Sequence, residues 1–533
     1  MPKRPAAPSL TRNRIVLAAL FSAVCFGIIA ARLIDVMVIG AAGSGGPVAT
    51  LVHPMRADLI DRSGVLIARD LPVSDLYATP AAFWDSNEAA HELAQATGAD
   101  GSHLKQAFAA KRGYILVQRG LTPDRRDAVM HLGLPGLVFE EGYKRYYPSG
   151  RIVAHAVGQV DTDDHGVSGL ELGLESRLRG DRDIAPVQLS LDMRIQYVLE
   201  HEIEEAAHAF KSKAAGGIVL NARTGEVLAL ASLPDYEPNM RKLEVGDSIR
   251  NRMTQDVYEL GSIFKIFAFT EAIEEHTISL DETFEVGKPY KLGHYYIHDF
   301  ERLGPTLPAA MVFADSSNIG TAQIELRSGP LKQKPFLRKL GLLEPLKTEL
   351  PEVASPLYPR HWEVVEAATI AYGHGISVNP LGFVAAAAAV VNGGTSIRPT
   401  FLKNDEVQRG ERVISEETSR TMRQLMRLVV TDGTGKLADV PGYDVGGKTG
   451  TAEKAENGSY AHHLLISSFC GIFPIDDPQY LVFIMLDEPH GNKQSGGFAT
   501  GGATAAPAVG RVIAKIAPLL GLRRNDTVAA ANP

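Results

Sequence analysis

The stretch Tyr258-Glu259-Leu260-Gly261-Ser262-Ile263-Phe264-Lys265-Ile266-Phe267-Ala268-Phe269 constrains this chain more than any other. From Ile263 to Phe269 every residue but Lys265 is apolar, so the segment is expected as a helix buried on all sides. Gly261 breaks the chain ahead of it, which puts the helix start at or next to Ser262. A hydroxyl then sits at the mouth of a core helix, and Lys265 follows one turn later on the same face. Burial strips a lysine of its charge, and a neutral amine can take the proton of a serine that attacks a carbonyl. The same residues also suit an ordinary polar helix start. Ser102-His103-Leu104-Lys105 has the same spacing in a polar segment with no supporting motif, so the tetrapeptide alone leaves both readings open.

A chain of 533 residues has room for two or more domains and a large core. Its net charge of −8 and the lack of a concentrated basic surface argue against nucleic acid. Cys25 and Cys470 are the only cysteines; the first falls in an apolar N-terminal run, so neither a disulfide nor a thiolate metal cluster is expected. Residues 1–14 carry Lys3, Arg4, Arg12 and Arg14 without an acidic residue, and Ile15 to Ala31 has no charge. As a helix that run rises about 25 Å, and Leu33 to Ile39 extends its apolar surface. The expectation is a cytoplasmic tail (1–14), a single-pass transmembrane anchor (15–39), and everything after it outside the cytoplasm. Small residues at Ile39-Gly40-Ala41-Ala42-Gly43 keep a cleaved signal peptide as the alternative.

Beyond a glycine-rich spacer, residues 48–186 mix short strand-like runs with polar helices. Asp61-Arg62-Ser63-Gly64 reads as a turn, Glu88 to Lys111 as a helix, and Lys144 to Pro148 as a basic, aromatic strand. No catalytic spacing occurs there; His155, Asp164 and His165 match no metal site. From Val187 the texture changes. Two apolar strands flank Arg223-Thr224-Gly225, and three more are expected at 444–451, 467–473 and 480–486, with an alanine-rich helix from about Gly502 to Ile516. The expected fold class is α+β: one antiparallel sheet built from the front and the back of residues 187–520, with helices on its faces, after a mixed α/β pedestal. Residues 521–533 are expected as a disordered tail.

Two elements support the serine. In Asp315-Ser316-Ser317-Asn318, alternating side chains can place the Ser316 hydroxyl, a proton relay, and the Asn318 amide in one cleft. Ser377-Val378-Asn379 fits the same pattern, and order and position favour Ser316. In Gly446-Gly447-Lys448-Thr449-Gly450-Thr451, Lys448 offers a positive charge, and Thr449 or Thr451 a hydroxyl for a carboxylate. Gly450 leaves room for a substrate backbone along the strand edge. A phosphate loop is excluded, because its other glycines and the helix after it are missing.

Ser-x-x-Lys, Ser-x-Asn and Lys-Thr-Gly, in that order, are the signature of penicillin-recognising serine enzymes. The chain resembles the class B penicillin-binding proteins, and within them the division-specific, FtsI-type transpeptidases. Arg56 to Gly64, Arg145-Tyr146-Tyr147-Pro148 and Gly169-Leu170-Glu171 look like pedestal motifs. Arg250 to Asp256, Tyr372-Gly373-His374-Gly375, Asn392-Gly393-Gly394 and Gly447 to Ala452 match the transpeptidase domain. Departures are Leu260, Ile263 and Asn379, where the family usually has proline, threonine and threonine.

The resemblance implies a peptidoglycan stem peptide ending in D-Ala-D-Ala as donor, Ser262 as nucleophile, Lys265 as its base and Ser316 as proton shuttle. Asn318 would hold the donor amide, Lys448 and Thr449 its carboxylate, and the backbone N–H groups of Ser262 and Thr451 the oxyanion. It implies β-lactams as acylating mimics and no metal or organic cofactor. It also implies a periplasmic catalytic domain on the inner membrane, and an FtsW-type glycosyltransferase with other divisome proteins as partners. An elongation-specific relative, a hydrolase of the same fold, and a β-lactam-binding sensor or scaffold without turnover are the alternatives.

Overall fold

A computed structural model describes residues 55–525, apart from 111–112, 180–184, 241–245 and 457–458, with helical residues at 17, 20–27 and 29–30. Of the anchor expected at 15–39 only those helical residues are described; the tail at 1–14 and most of 521–533 lie outside the described residues. Among those described, no helix is long and apolar enough to cross a membrane. The chain divides into two compact units, Met1–His53 with Val73–Gly142, and Pro54–Pro72 with Tyr143–Pro533.

In the smaller unit the second half of β2 (Leu66–Ala78) pairs antiparallel with β3 (Ile115–Leu121). Three helices, α1 (Ser86–Thr97), α2 (Gly101–Ala109) and α3 (Pro123–His131), bury Leu93, Phe108 and Val129 with Leu76. The single helix expected from Glu88 to Lys111 is two. Gly98 takes a left-handed φ of 78° that closes α1, and the Asp100 carboxylate accepts from the backbone of Ser102 and His103 to open α2. The decoy Ser102 is therefore tied to a helix cap, and Lys105 is exposed.

In the larger unit β1 (Leu59–Ile60) pairs antiparallel with the start of β2 and parallel with β5 (Val187–Gln188). The turn expected at 61–64 joins β1 to β2, its Asp61 carboxylate accepting from the N–H groups of Ser63 (2.7 Å) and Val65 (2.8 Å). The strand β4 (Leu137–Tyr146), which enters this unit at Tyr143, covers most of the basic, aromatic run. The pedestal motifs meet in one buried ionic cluster. Glu171 accepts from Arg56 (2.8 Å) and Arg145 (2.7 Å), and Asp70 from Arg145 (3.1 Å) and the Arg56 backbone (2.6 Å).

Helix α4 (Met193–Ala209) leads into β6 (Ala214–Asn221) and β7 (Val227–Leu233). The chain then makes a long insertion. It holds α5 (Lys265–Glu274), β8 (Thr283–Glu285), the hairpin of β9 (Tyr290–Leu292) and β10 (Tyr295–Ile297), and β11 (Thr306–Pro308). Helices α6 (Asn318–Ser328) and α7 (Pro330–Lys339) follow. The last strands, β12 (Gly446–Glu456), β13 (Ser459–Phe473) and β14 (Tyr480–Asp487), return to the first two, and α8 (Ala505–Leu519) ends the unit.

The sheet order is β12-β13-β14-β6-β7, antiparallel throughout, with two strands from the front and three from the back as the pattern predicts. Side chains alternate across it. Val219, Val482 and Ile484 join Leu199, Ile203, Val509 and Ile513 of α4 and α8 in one core, while Ile218, Leu481 and Phe483 join Phe264, Phe267 and Phe383 in the other. Because both faces are covered, β6 and β14 read as continuous apolar runs. The rings of Phe264, Phe267 and Phe383 pack edge-on or tilted at 5.2 to 6.1 Å, each pair adding about 1 kcal/mol beyond its buried area. That cluster fixes the helix that carries the reactive residues.

Candidate active site

Residues Gly261–Phe264 form one turn of 3-10 helix that runs into α5. A 3-10 turn eclipses positions three apart, so Ser262 and Lys265 lie one above the other. Lys265 is fully buried and Ser262 half-buried, with Lys265 Nζ 3.0 Å from Ser262 Oγ. Gly261 has a left-handed φ of 59°, and a Cβ there would meet the Thr451 carbonyl oxygen at 2.5 Å. Glycine thus lets the nucleophile turn press against β12.

On another side stands the Ser-x-Asn turn. Ser316 joins helix Ala309–Ala314 to α6 with a φ of 63°, a strained conformation for a residue with a side chain. The turn brings Ser316 Oγ to 3.0 Å from both Lys265 Nζ and Lys448 Nζ. Lys265 also donates to the Ser316 carbonyl and, at 2.8 Å, to Asn318 Oδ1. Asn318 is the first residue of α6, and its Nδ2 donates to the His298 carbonyl at 3.1 Å.

The third side is β12. Lys448 is fully buried; its amine contacts Thr449 Oγ1 at 3.3 Å and lies 5.8 Å from the centre of the Phe313 ring. Thr449 and Thr434 share a hydroxyl hydrogen bond of 2.7 Å, and Thr451 Oγ1 accepts from Gly501 N–H at 3.1 Å. At Gly450 a Cβ would stand 2.7 Å from the Leu260 carbonyl and 2.3 Å from Ser468 Oγ. Its missing side chain makes room for the nucleophile turn. Residues 262, 265, 316, 318 and 448 to 451 therefore converge from three distant segments, as sequence order predicts.

The electrostatics differ from a simple ion pair. Burial, and then the neighbouring Lys448, push the Lys265 amine well below the usual lysine range, with Asp299 pulling the other way. Burial also lowers Lys448, to about 7, against the opposing pull of Asp315. The sequence reading treats Lys448 as a fixed positive charge; in the fold its charge depends on pH and on what binds beside it. Two ammonium groups sharing one hydroxyl repel, so the pair sheds its protons as a coupled unit.

Several residues around the site carried no sequence signal. Asp299 accepts from Ser317 Oγ (2.8 Å), Asn318 N–H (2.5 Å) and Ile319 N–H (3.0 Å), holding the strained turn from 18 to 20 residues upstream. No local pattern marks such a long-range cap. Thr434, between Gly433 and Gly435, was findable only as a turn. The Gly373 carbonyl accepts from Gly261 N–H at 3.3 Å, and Glu259 accepts from Gly375 N–H and Tyr460 Oη, so the Tyr372 to Gly375 motif backs the nucleophile. Of the other sequence candidates, Ser377 and Asn379 serve elsewhere, Asn379 capping helix Pro380–Val391. His155 is buried, drawn down to about 4 by that burial, and bonded to the Ser248 carbonyl. Among the described residues only Glu200, Glu204 and Asp235 have metal-ligand proximity, and Arg151 occupies Asp235.

The penicillin binding protein transpeptidase domain matches residues 215–513, and the penicillin-binding protein dimerisation domain matches residues 51–206. The chain is 41% identical to a probable peptidoglycan D,D-transpeptidase FtsI of Caulobacter vibrioides, over 98% of this chain and 91% of that protein. It is 29% identical to the peptidoglycan D,D-transpeptidase FtsI of Escherichia coli, over 87% of this chain and 83% of that one. A crystal structure of penicillin binding protein 3 from Mycobacterium tuberculosis, complexed with aztreonam, is similar with a TM-score of 0.70 at 26% identity, covering 89% of this chain and 98% of that one. With two domain matches and a relative alike over nearly its whole length, the chain belongs to the penicillin-binding proteins, and within them to the class B enzymes of the FtsI type.

Proposed function

We propose that this chain cross-links peptidoglycan stem peptides during septal wall synthesis, as a serine D,D-transpeptidase that β-lactams acylate. Ser262 Oγ attacks the carbonyl of the penultimate D-Ala, and its proton passes to the neutral Lys265 amine. The C–N bond to the last D-Ala then breaks, and Ser316 relays a proton to the leaving nitrogen. An amine of a neighbouring stem attacks the acyl-enzyme, gives up its proton through the same relay, and returns the hydroxyl to Ser262. The backbone N–H groups of Ser262 and Thr451 hold the oxyanion.

Asn318 holds the donor amide, and Lys448, with Thr449 and Thr451, holds the donor carboxylate, while Gly450 admits the nucleophile turn rather than the donor backbone. A carboxylate arriving beside Lys448 raises that amine's affinity for its proton. The restored charge in turn keeps Lys265 neutral, so donor binding sharpens the division of labour between the two lysines. The domain plan in this reading is a cytoplasmic tail, a single inner-membrane anchor at 15–39, a pedestal at 48–186 and a periplasmic transpeptidase domain at 187–520. An FtsW-type glycosyltransferase and other divisome proteins are the expected partners.

The observation that carries the reading is the Ser316 hydroxyl, 3.0 Å from both lysines, with Ser262 at the same distance from Lys265. Ser262→Ala should stay folded and lose all labelling by a fluorescent penicillin. Labelling that persists removes Ser262 from its role, and steady release of hydrolysed penicillin by the parent chain would make it a hydrolase instead.

A further inference from the structure

Helices α5 and α6 both leave the site, one carrying Lys265 and the other Asn318. Lys265 reaches Asn318 Oδ1 at their mouths. Six residues along α5 is Glu271, and seven residues along α6 is Glu325, rises of about 9 and 10.5 Å. Ala268 and Ala322, both buried, lie at the intermediate level, where small side chains admit close helix packing.

Glu271 is 2% exposed and Glu325 0%, and among the described residues none of their four carboxylate oxygens has a hydrogen-bond partner within 3.5 Å. Ionised and unpartnered, two such groups would be among the costliest features of the fold. Two neutral acids, by contrast, can satisfy each other, each O–H donating to the other's C=O. The surroundings favour the neutral form. Burial, and then Glu275, push Glu271 up to about 8 against Lys332 of α7, which itself pairs with Glu275; burial, and then Glu271, push Glu325 well above the usual range, against the Gln333 amide. Gln333 donates one N–H to the Ala367 carbonyl and accepts from Trp362, which leaves a single N–H to oppose the rise at Glu325.

We propose that Glu271 and Glu325 form a proton-sharing acid pair that locks α5 to α6 and so sets the distance between Lys265 and the Ser-x-Asn turn. They are positioning residues, acting two helical turns behind the chemistry. The inference rests on the proposed roles of Lys265 and Asn318, and its failure is distinguishable from theirs. Labelling of Ser262→Ala tests that reading alone, whereas variants at Glu271 keep every reacting group.

The test is acylation of Ser262 by a fluorescent penicillin, measured on the full chain between about pH 6 and pH 9 together with melting temperature. Glu271→Gln, whose amide can still pair with an acid, should acylate within about threefold of the parent at neutral pH. Glu271→Ala should fold and acylate about tenfold more slowly, the scale expected of a sub-ångström misplacement. Both acids bind protons in the folded chain that they release on unfolding, so the parent loses stability as pH rises from the ordinary 4.5 toward about 8, and Glu271→Gln should lose less. Acylation at the parent's rate by Glu271→Ala, or an unaltered pH dependence of melting in Glu271→Gln, overturns the pair. If Glu271→Ala does not fold, the pH comparison with Glu271→Gln decides alone.

Discussion

Two places in the larger unit bury basic side chains completely, and they treat the charge in opposite ways. Arg56 and Arg145 sit in a cluster where Glu171 and Asp70 answer them with short, multiply bonded contacts. Although burial works against the charge, Glu171 and Asp70 hold Arg145 above even its ordinary range. Lys265 and Lys448 instead face serine hydroxyls, amide and carbonyl oxygens and each other, with no carboxylate in hydrogen-bond contact among the described residues. Their shifts run downward. The difference follows from the task. A paired guanidinium specifies structure and is chemically inert, whereas an amine held without a counter-ion gives up its proton near neutrality and can act as a base.

The comparison breaks most visibly at Lys265. Lys265→Arg brings in a group that stays protonated, so acylation by penicillin should fall by about a thousandfold or more while the protein stays folded; near-parent acylation would end the neutral-base reading. Next in size is Glu171→Ala, which leaves two buried guanidinium groups short of their partner and should cost about 3–5 kcal/mol in denaturant unfolding. If that variant is as stable as the parent, the paired cluster is not the structural counterweight described here.

Lys448→Met should lower acylation efficiency about a hundredfold, mainly through weaker capture of the carboxylate. The pH signs can be worked out for the same residue. Above about 7 the parent's Lys448 loses its charge, so capture weakens as pH rises, and Lys448→Met should lack that limb. A lysine lowered in the fold takes up a proton on unfolding, so the parent gains stability as pH rises from about 7 toward the ordinary 10.5, and Lys448→Met should flatten that slope in melting experiments. The smallest effect is expected at Asp299. Asp299→Ala removes three hydrogen bonds from the strained Ser316 turn and should slow acylation about tenfold with a stability loss of about 1 kcal/mol. An unchanged acylation rate would show that the turn holds itself.

Much of the fold is legible in the chain alone. The strands β6, β7 and β14 announce themselves as apolar runs, because a sheet covered on both faces needs no polar alternation. The order Ser262, Ser316, Lys448 is a linear property of the chain and carries the family with it. The single helix expected at 88–111 failed because a left-handed glycine and an aspartate cap outweighed a helix-friendly composition. Asp299 and the Glu271 to Glu325 seam left no trace in sequence, since their partners lie 18 to 20 residues away or on a neighbouring helix, and Thr434 showed only as a turn.

The sequence by itself determined which groups are present for chemistry: one hydroxyl at a helix mouth, two lysines, a relay serine and an amide, with glycines beside Ser262 and Lys448. Only the tertiary structure decided their states of charge. A lysine's proton affinity is set by how much water the fold removes and which charges it brings near, and both are properties of packing between segments that are distant in the chain. Hence Lys448, legible as a cation in sequence, becomes in the fold an amine poised near neutrality.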